Sequence, residues 1–171
     1  MNATGAGTGL YRASFTFPPG AYTFTGSGGK DVGTLSIGLD LPPLALTWTN
    51  RSIGTIARSN GATVTWSTTG AASGSTVEIS GYSVSGATQA SAVGAGFICT
   101  ANAADGTFSI PAVVLRALPA SATLGTSILP VITGALGISL VGTPVRFSAT
   151  GLDLGLAFPV SASVNKAVTY Q

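Results

Sequence analysis

The chain has 171 residues, of which 45% are hydrophobic and only 7% charged, with a formal net charge of +2. A chain of this length buries most of the surface its unfolded form exposes, so one domain can fold without a disulfide or a metal. The charged fraction is far below the roughly 25% usual in globular domains, and the basic residues Arg12, Lys30, Arg51, Arg58, Arg116, Arg146 and Lys166 stand singly, which excludes the basic cluster that nucleic acid requires.

In chain order, apolar residues recur with period two and almost nowhere with the 3.6-residue period of a helix. ASFTFP places Phe15 and Phe17 on one face, and AYTFTG does the same with Tyr22 and Phe24. After the flexible hairpin turn GSGGKD, GTLSIGLDL alternates through Leu35, Ile37, Leu39 and Leu41, and LALTWT through Leu44, Leu46 and Trp48. The pattern resumes in ATVTWS, STVEISGYSVS, GAGFICTA, GTFSI and the long GISLVGTPVRFSATGLDLGLAFPV, with NG at 60–61, AASG and ADG as turns. About ten to twelve short strands at this spacing predict an all-β fold, a two-sheet antiparallel β-sandwich spanning residues 1–171 as one domain.

One segment departs from the alternation. In IPAVVLRALPAS, Pro111 suits a first helical turn and Pro119 stops the run, which predicts one short helix over 112–118 at one end of the sandwich. The tetrapeptide GLDL occurs at 38–41 and again at 151–154. Two matches of four common residues do not establish a duplication; were it real, the two strands would occupy related edges.

Residues 51–120 carry RSNGATVTWSTTG, STVEISGYSVS and GAGFICTANAADGTFSIPAVVLRALP. An Arg-Ser-x-Gly start, a V-T-W strand, a V-x-I-x-G strand, an F-x-C strand and the run G-x-F-x-I-P-x-x-V-L-x-x-L-P follow one another. This stretch resembles secreted bacterial, acidobacterial-type immunoglobulin-like β-sandwich modules of unknown function. The resemblance implies an immunoglobulin-like fold and export, and it carries no catalytic residue across.

The inventory of reactive groups is short. There is no histidine, so Ser-His-Asp and Cys-His catalysis are excluded, as is the commonest metal ligand. Cys99 is the single cysteine; it shares a face with Phe97 and reads as a buried, inert thiol. Zinc would need histidine or several cysteines, and calcium a loop of oxygen ligands that no Asp-x-Asp run provides. No metal and no cofactor is expected. SVNK at 163–166 fits Ser-x-x-Lys only by spacing, in a strand rather than on a helical turn. GSGGKD lacks the helix that would make it a phosphate loop. No apolar run approaches the roughly 18 residues of a membrane span. MNATGAGTGLYR has no basic segment leading into an apolar one, so the chain is either cytoplasmic or follows a removed leader; the composition favours the second, an exported chain, extracellular or at the cell surface, whose leader is absent from this sequence.

The remaining candidates are aromatic side chains and lysines. Trp48, Trp66 and Tyr82 are the candidate ligand platform, since sugars stack on exposed aromatic faces. Trp48 alternates with Leu44 and Leu46, and Trp66 with Val64, which favours the core for both. Tyr11, Tyr22, Tyr82 and Tyr170 are expected to be more exposed. Lys30 and Lys166, with Glu78 as promoting carboxylate and Asn50, Asn102 or Asn165 as acceptor, are the candidates for an isopeptide bond; Glu78 should, however, point outward between Val77 and Ile79. The sequence therefore reads as a non-catalytic structural or cell-surface module whose partners are copies of itself or neighbouring domains. Strand addition at an exposed edge is its expected means of assembly, with LYRASFTF and ASVNKAVTY as candidate strands. The alternatives are a glycan- or other ligand-binding module and a glycosidase using Glu78 with Asp40.

Overall fold

A computed structural model describes residues 17–41, 45–86, 91–121 and 133–171. Two sheets carry the core. The first orders three strands, β3 (Ala45–Trp48), β5 (Ala62–Thr69) and β8 (Thr107–Ile110), as β3-β5-β8. The second orders β6 (Thr76–Ser85), β7 (Val93–Asn102), β9 (Gly134–Val141) and β12 (Val160–Ala167) as β12-β9-β6-β7, antiparallel throughout. The chain changes sheet between β5 and β6, between β7 and β8, and between β8 and β9. This interleaving is that of a two-layer antiparallel β-sandwich.

The period-two pattern fixes which side of each strand is buried. Val77 and Ile79 of β6 face inward beside Leu140 and Ile138 of β9, with which they are in register. Opposite them stand Val64 and Trp66 of β5, Trp48 of β3 and Ile110 of β8, all in one buried cluster. Gly81 lies in the same inward row. A Cβ there would come within 2.5 Å of the Phe97 ring and 2.6 Å of the Tyr170 hydroxyl, so the missing side chain is what admits both rings.

A short latch closes the sandwich. β4 (Thr55–Ile56) pairs in parallel with β13 (Thr169–Tyr170), and Gln171 N donates to Ile56 O at 2.9 Å. Tyr170 is fully buried, which corrects the expectation that it is exposed. Its hydroxyl donates to Ala135 O and its backbone N to Ser121 Oγ, both at 2.9 Å. Ser121 Oγ also lies 2.9 Å from Ser83 Oγ, satisfying the buried Ser83. A buried tyrosine is tolerated because its polar tip is paired.

The helix α1 is shorter than expected, Ala112–Arg116, with Pro111 just outside it in an extended conformation. Pro111 O accepts from Val114 N and Leu115 N, and Leu115 and Leu118 seal the core from this side. The ADG turn becomes a single 3-10 turn, Ala103–Asp105, ended by Gly106 at φ 67°.

Four further strands lie beside the sandwich: the hairpin β1 (Gly20–Gly26) and β2 (Leu35–Leu41), and the pair β10 (Val145–Phe147) and β11 (Gly155–Ala157). Tyr22 opposes Leu39 and Phe24 opposes Ile37, aromatic–aliphatic pairs of the stabilising kind. Phe17 packs edge-on against both Tyr22 and Phe24. Among the described residues none of these four strands contributes to the buried core. The GLDL repeat is not a structural one: residues 38–41 are strand, whereas 151–154 form the loop before β11. Phe15, Leu44 and Tyr11 lie outside the described residues.

Candidate functional site

Trp48 and Trp66 are a directly opposed pair on neighbouring strands, 5% and 4% exposed. Both indoles are satisfied internally. Trp66 Nε1 donates to Ala103 O at 3.0 Å and Trp48 Nε1 to Asn50 Oδ1 at 2.8 Å. The platform candidacy of Trp48 and Trp66 is thereby set aside, since a ligand cannot stack on buried rings, and both take the core position that their alternation with Leu46 and Val64 favoured. Tyr82 is the exception of the three, 44% exposed on the outer face of the four-stranded sheet.

The isopeptide candidates do not converge. Lys30 is exposed in the β1–β2 turn. Lys166 shares the inner face of β12 with Leu136's register position, and its Nζ donates to Arg51 O at 2.8 Å. Glu78 lies on the opposite, outer face, between Ser139 and Thr100. Asn50 is committed to Trp48, Thr65 N and Thr63 O. A cross-link needs its lysine, acceptor and carboxylate in one buried contact, and here they stand on different faces of different elements. Asp40 lies in the β1–β2 hairpin, so it and Glu78 sit on different sheets.

Cys99 is half-buried on the inner face of β7, against the core, and burial pushes its thiol above the ordinary value. That lowers the thiolate fraction and with it the reactivity of the group. Among the described residues no three histidine, cysteine or carboxylate side chains gather in a metal-binding group, and no helix is long and apolar enough to cross a membrane.

The surface feature that does stand out is a shallow groove of about 920 Å³ across the outer face of the four-stranded sheet. Register explains it. One row across β12, β9, β6 and β7 reads Ala167, Ala135, Tyr82, Gly96, and the next reads Asn165, Gly137, Ser80, Ile98. The small residues make the floor; Tyr82 and the 68% exposed Ile98 rise on one side. On the other side the Asn165 side chain lies over Gly137, filling the space a Cβ would need. Ser163 Oγ links Ser139 Oγ at 3.0 Å with Asn165 Nδ2 at 3.5 Å, so this wall is polar. Tyr82 was legible as a candidate; Asn165 was considered only as a bond acceptor, and Gly137 gave no signal before its register was known.

The sheet with the other free edge is equally informative. β7 has ten residues, contains no charge and no proline, and pairs only with β6 among the described strands. β12, at the opposite edge, carries a register irregularity between Val160 and Ala162 and the charged Lys166. β8 is short and runs into Pro111. These are the usual ways of blunting an edge, and β7 has none of them.

Fold and surface together define an all-β sandwich in which, among the described residues, the β7 edge is uncovered and the outer face of the four-stranded sheet is grooved. Comparison with known protein families, with curated proteins and with solved structures finds no match to this chain.

Proposed function

We propose that this chain is a non-catalytic, exported structural module of the bacterial cell surface, assembling with copies of itself through the free edge of β7. The observation that carries the reading is that edge: ten uncharged residues that pair on one side only among the described strands, with Val93 and Ile98 exposed along them. Such a strand is a template for pairing, and an identical strand from a second copy satisfies it in antiparallel fashion. The low net charge of +2 supports the same reading, because little repulsion opposes close approach. The C-terminal segment ASVNKAVTY is not the donor strand expected from its sequence, since β12 and β13 are paired with β9 and β4 of their own chain. Of LYRASFTF, residues 10–16 lie outside the described residues.

Light scattering after gel filtration, across a concentration series, tests this. The wild-type chain should grow into dimers or longer assemblies, and Ile98→Lys, which places a charge on the edge at an already exposed position, should weaken association by about tenfold or more. A particle that stays monomeric at every concentration, or an assembly indifferent to Ile98→Lys, would sink the proposal.

A further inference from the structure

We propose that two copies of this chain join their β7 strands antiparallel about a two-fold axis at Phe97, so that Ile98 of each stands opposite Gly96 of the other, and that assembly through this edge stops at the dimer. This rests on the reading that β7 is the edge through which copies assemble, and it adds the register and the size of the product.

Backbone hydrogen bonds limit the registers open to the strand. Along a strand, residues direct their N–H and C=O groups to one neighbour and the other in alternation. Val84 N donates to Thr133 O on the β9 side at 2.7 Å, and Ala103 N donates to Ser75 O at 2.9 Å, continuing the ladder between β6 and β7. The odd-numbered residues of β7 are therefore bonded to β6. Gly94, Gly96, Ile98, Thr100 and Asn102 direct their backbone groups outward, where no described strand lies. A second β7 meets them only with even-numbered residues opposite even-numbered ones, which centres the two-fold axis on a residue and never between two. An axis perpendicular to the sheet also keeps both outer faces on the same side.

Side-chain size then selects the residue. About Phe97, β7 is complementary to its own reverse: Gly96 faces Ile98, Ala95 faces Cys99, Gly94 faces Thr100 and Val93 faces Ala101. A smaller side chain meets a larger one in each of these pairs, which is how close packing is reached across strands. Moving the axis to Ile98 sets Ile98 on itself and Ala95 on Ala101, and moving it to Gly96 sets glycine on glycine. Only the Phe97 axis brings the exposed apolar side chains together. One row across the joined sheets then reads Tyr82 and Gly96 of one copy, then Ile98 and Ser80 of the second. The 44% exposed Tyr82 ring and the 68% exposed Ile98 close over that glycine from either side, and the axis repeats the contact in the other copy. The strand is used up in this one pairing. At the opposite edge Asn165 O, on the outward side of β12, is already taken by the Arg51 guanidinium at 3.2 Å. An isologous contact of this kind closes as a dimer.

Cys99 serves as the reporter of register. Ala95 and Cys99 share the core side of β7, and across the axis they form a non-hydrogen-bonded pair, where Cα atoms approach to about 4.5 Å, within reach of a disulfide. Within one chain the same two positions lie about 13 Å apart along the strand, too far to bridge. The test is cross-linking of the intact Ala95→Cys chain with oxidised glutathione, which takes up the two electrons as the two thiols lose their protons. It should form a disulfide-linked dimer at least about tenfold faster than wild type, Val93→Cys or Ala101→Cys, whose cysteines meet only in other registers. Adding Cys99→Ser should abolish that bond. Light scattering of the reduced wild-type chain should level off at twice the monomer mass, and a matching curve for reduced Ala95→Cys shows that the variant is folded. A chain that stays monomeric at every concentration overturns this proposal and the edge reading together. Association in which Ala95→Cys cross-links no faster than the controls, or which grows past the dimer, overturns the proposal alone and leaves the edge reading standing. So does cross-linking of Ala95→Cys with Ala101→Cys in a Cys99→Ser chain, which would put the axis at Ile98.

Discussion

Asn50 is the side chain whose loss should be felt most for its size. It follows β3 and spans to β5: its Oδ1 accepts from Trp48 Nε1 at 2.8 Å and from Thr65 N at 2.9 Å, while Nδ2 donates to Thr63 O at 2.8 Å. Asn50→Ala removes all three bonds. The Trp48 indole N–H and the Thr65 amide are part-buried, and a buried donor left without a partner costs about 1–3 kcal/mol, whereas the exposed Thr63 carbonyl recovers its bond from water. Allowing for partial hydration of Thr65, the sum is about 2–4 kcal/mol, a large fraction of the 5–15 kcal/mol by which domains are typically stable. Equilibrium urea unfolding read by tryptophan fluorescence measures it, with an unchanged m-value showing that the unfolded state is not altered. Asn50→Asp keeps the acceptor and loses only the exposed donor, so its cost should be nearer 1 kcal/mol. A loss below about 0.5 kcal/mol for Asn50→Ala would refute the reasoning, because it would mean water replaces the carboxamide at no cost.

Two further perturbations test the closure of the sandwich. Tyr170→Phe deletes the buried bond to Ala135 O and should cost about 1 kcal/mol by the same unfolding assay. Burial also pushes the Tyr170 phenol far above its ordinary range; the folded state then holds this proton more tightly than the unfolded one, so its stability is complete below pH about 10 and declines as pH rises beyond that value. Tyr170→Phe should flatten this alkaline decline, to which Cys99, whose pKa is raised by burial in the same sense, also contributes. Gly81→Ala drives a methyl group into Phe97 and the Tyr170 hydroxyl; overpacking of this kind should cost about 1–3 kcal/mol, seen as a lower urea midpoint.

The alternation of apolar residues made the sandwich legible because each strand needs only its own sequence to declare which side is buried: Val77 and Ile79, or Val64 and Trp66, face inward as their spacing requires. What period two cannot express is who stands beside whom. Tyr170, an aromatic residue with a polar tip and therefore expected at the surface, is buried by a space at Gly81 that only long-range pairing places beside it. The two GLDL copies show the same limit from the other side. Residues 38–41 are strand because Gly20–Thr23 lie opposite, while the second copy begins with Gly151 at φ 86°, against the carbonyl of Asp31, and turns. The groove is the strongest instance, since its residues belong to the outward half of the alternation, the half a search for the core discards as solvated surface. Ser80, Gly96 and Gly137 are unremarkable in their own strands. Only the register across β12, β9, β6 and β7 brings these small residues together and lays Asn165 over Gly137, so a groove on the face of a sheet is written in the pairing and not in any one segment.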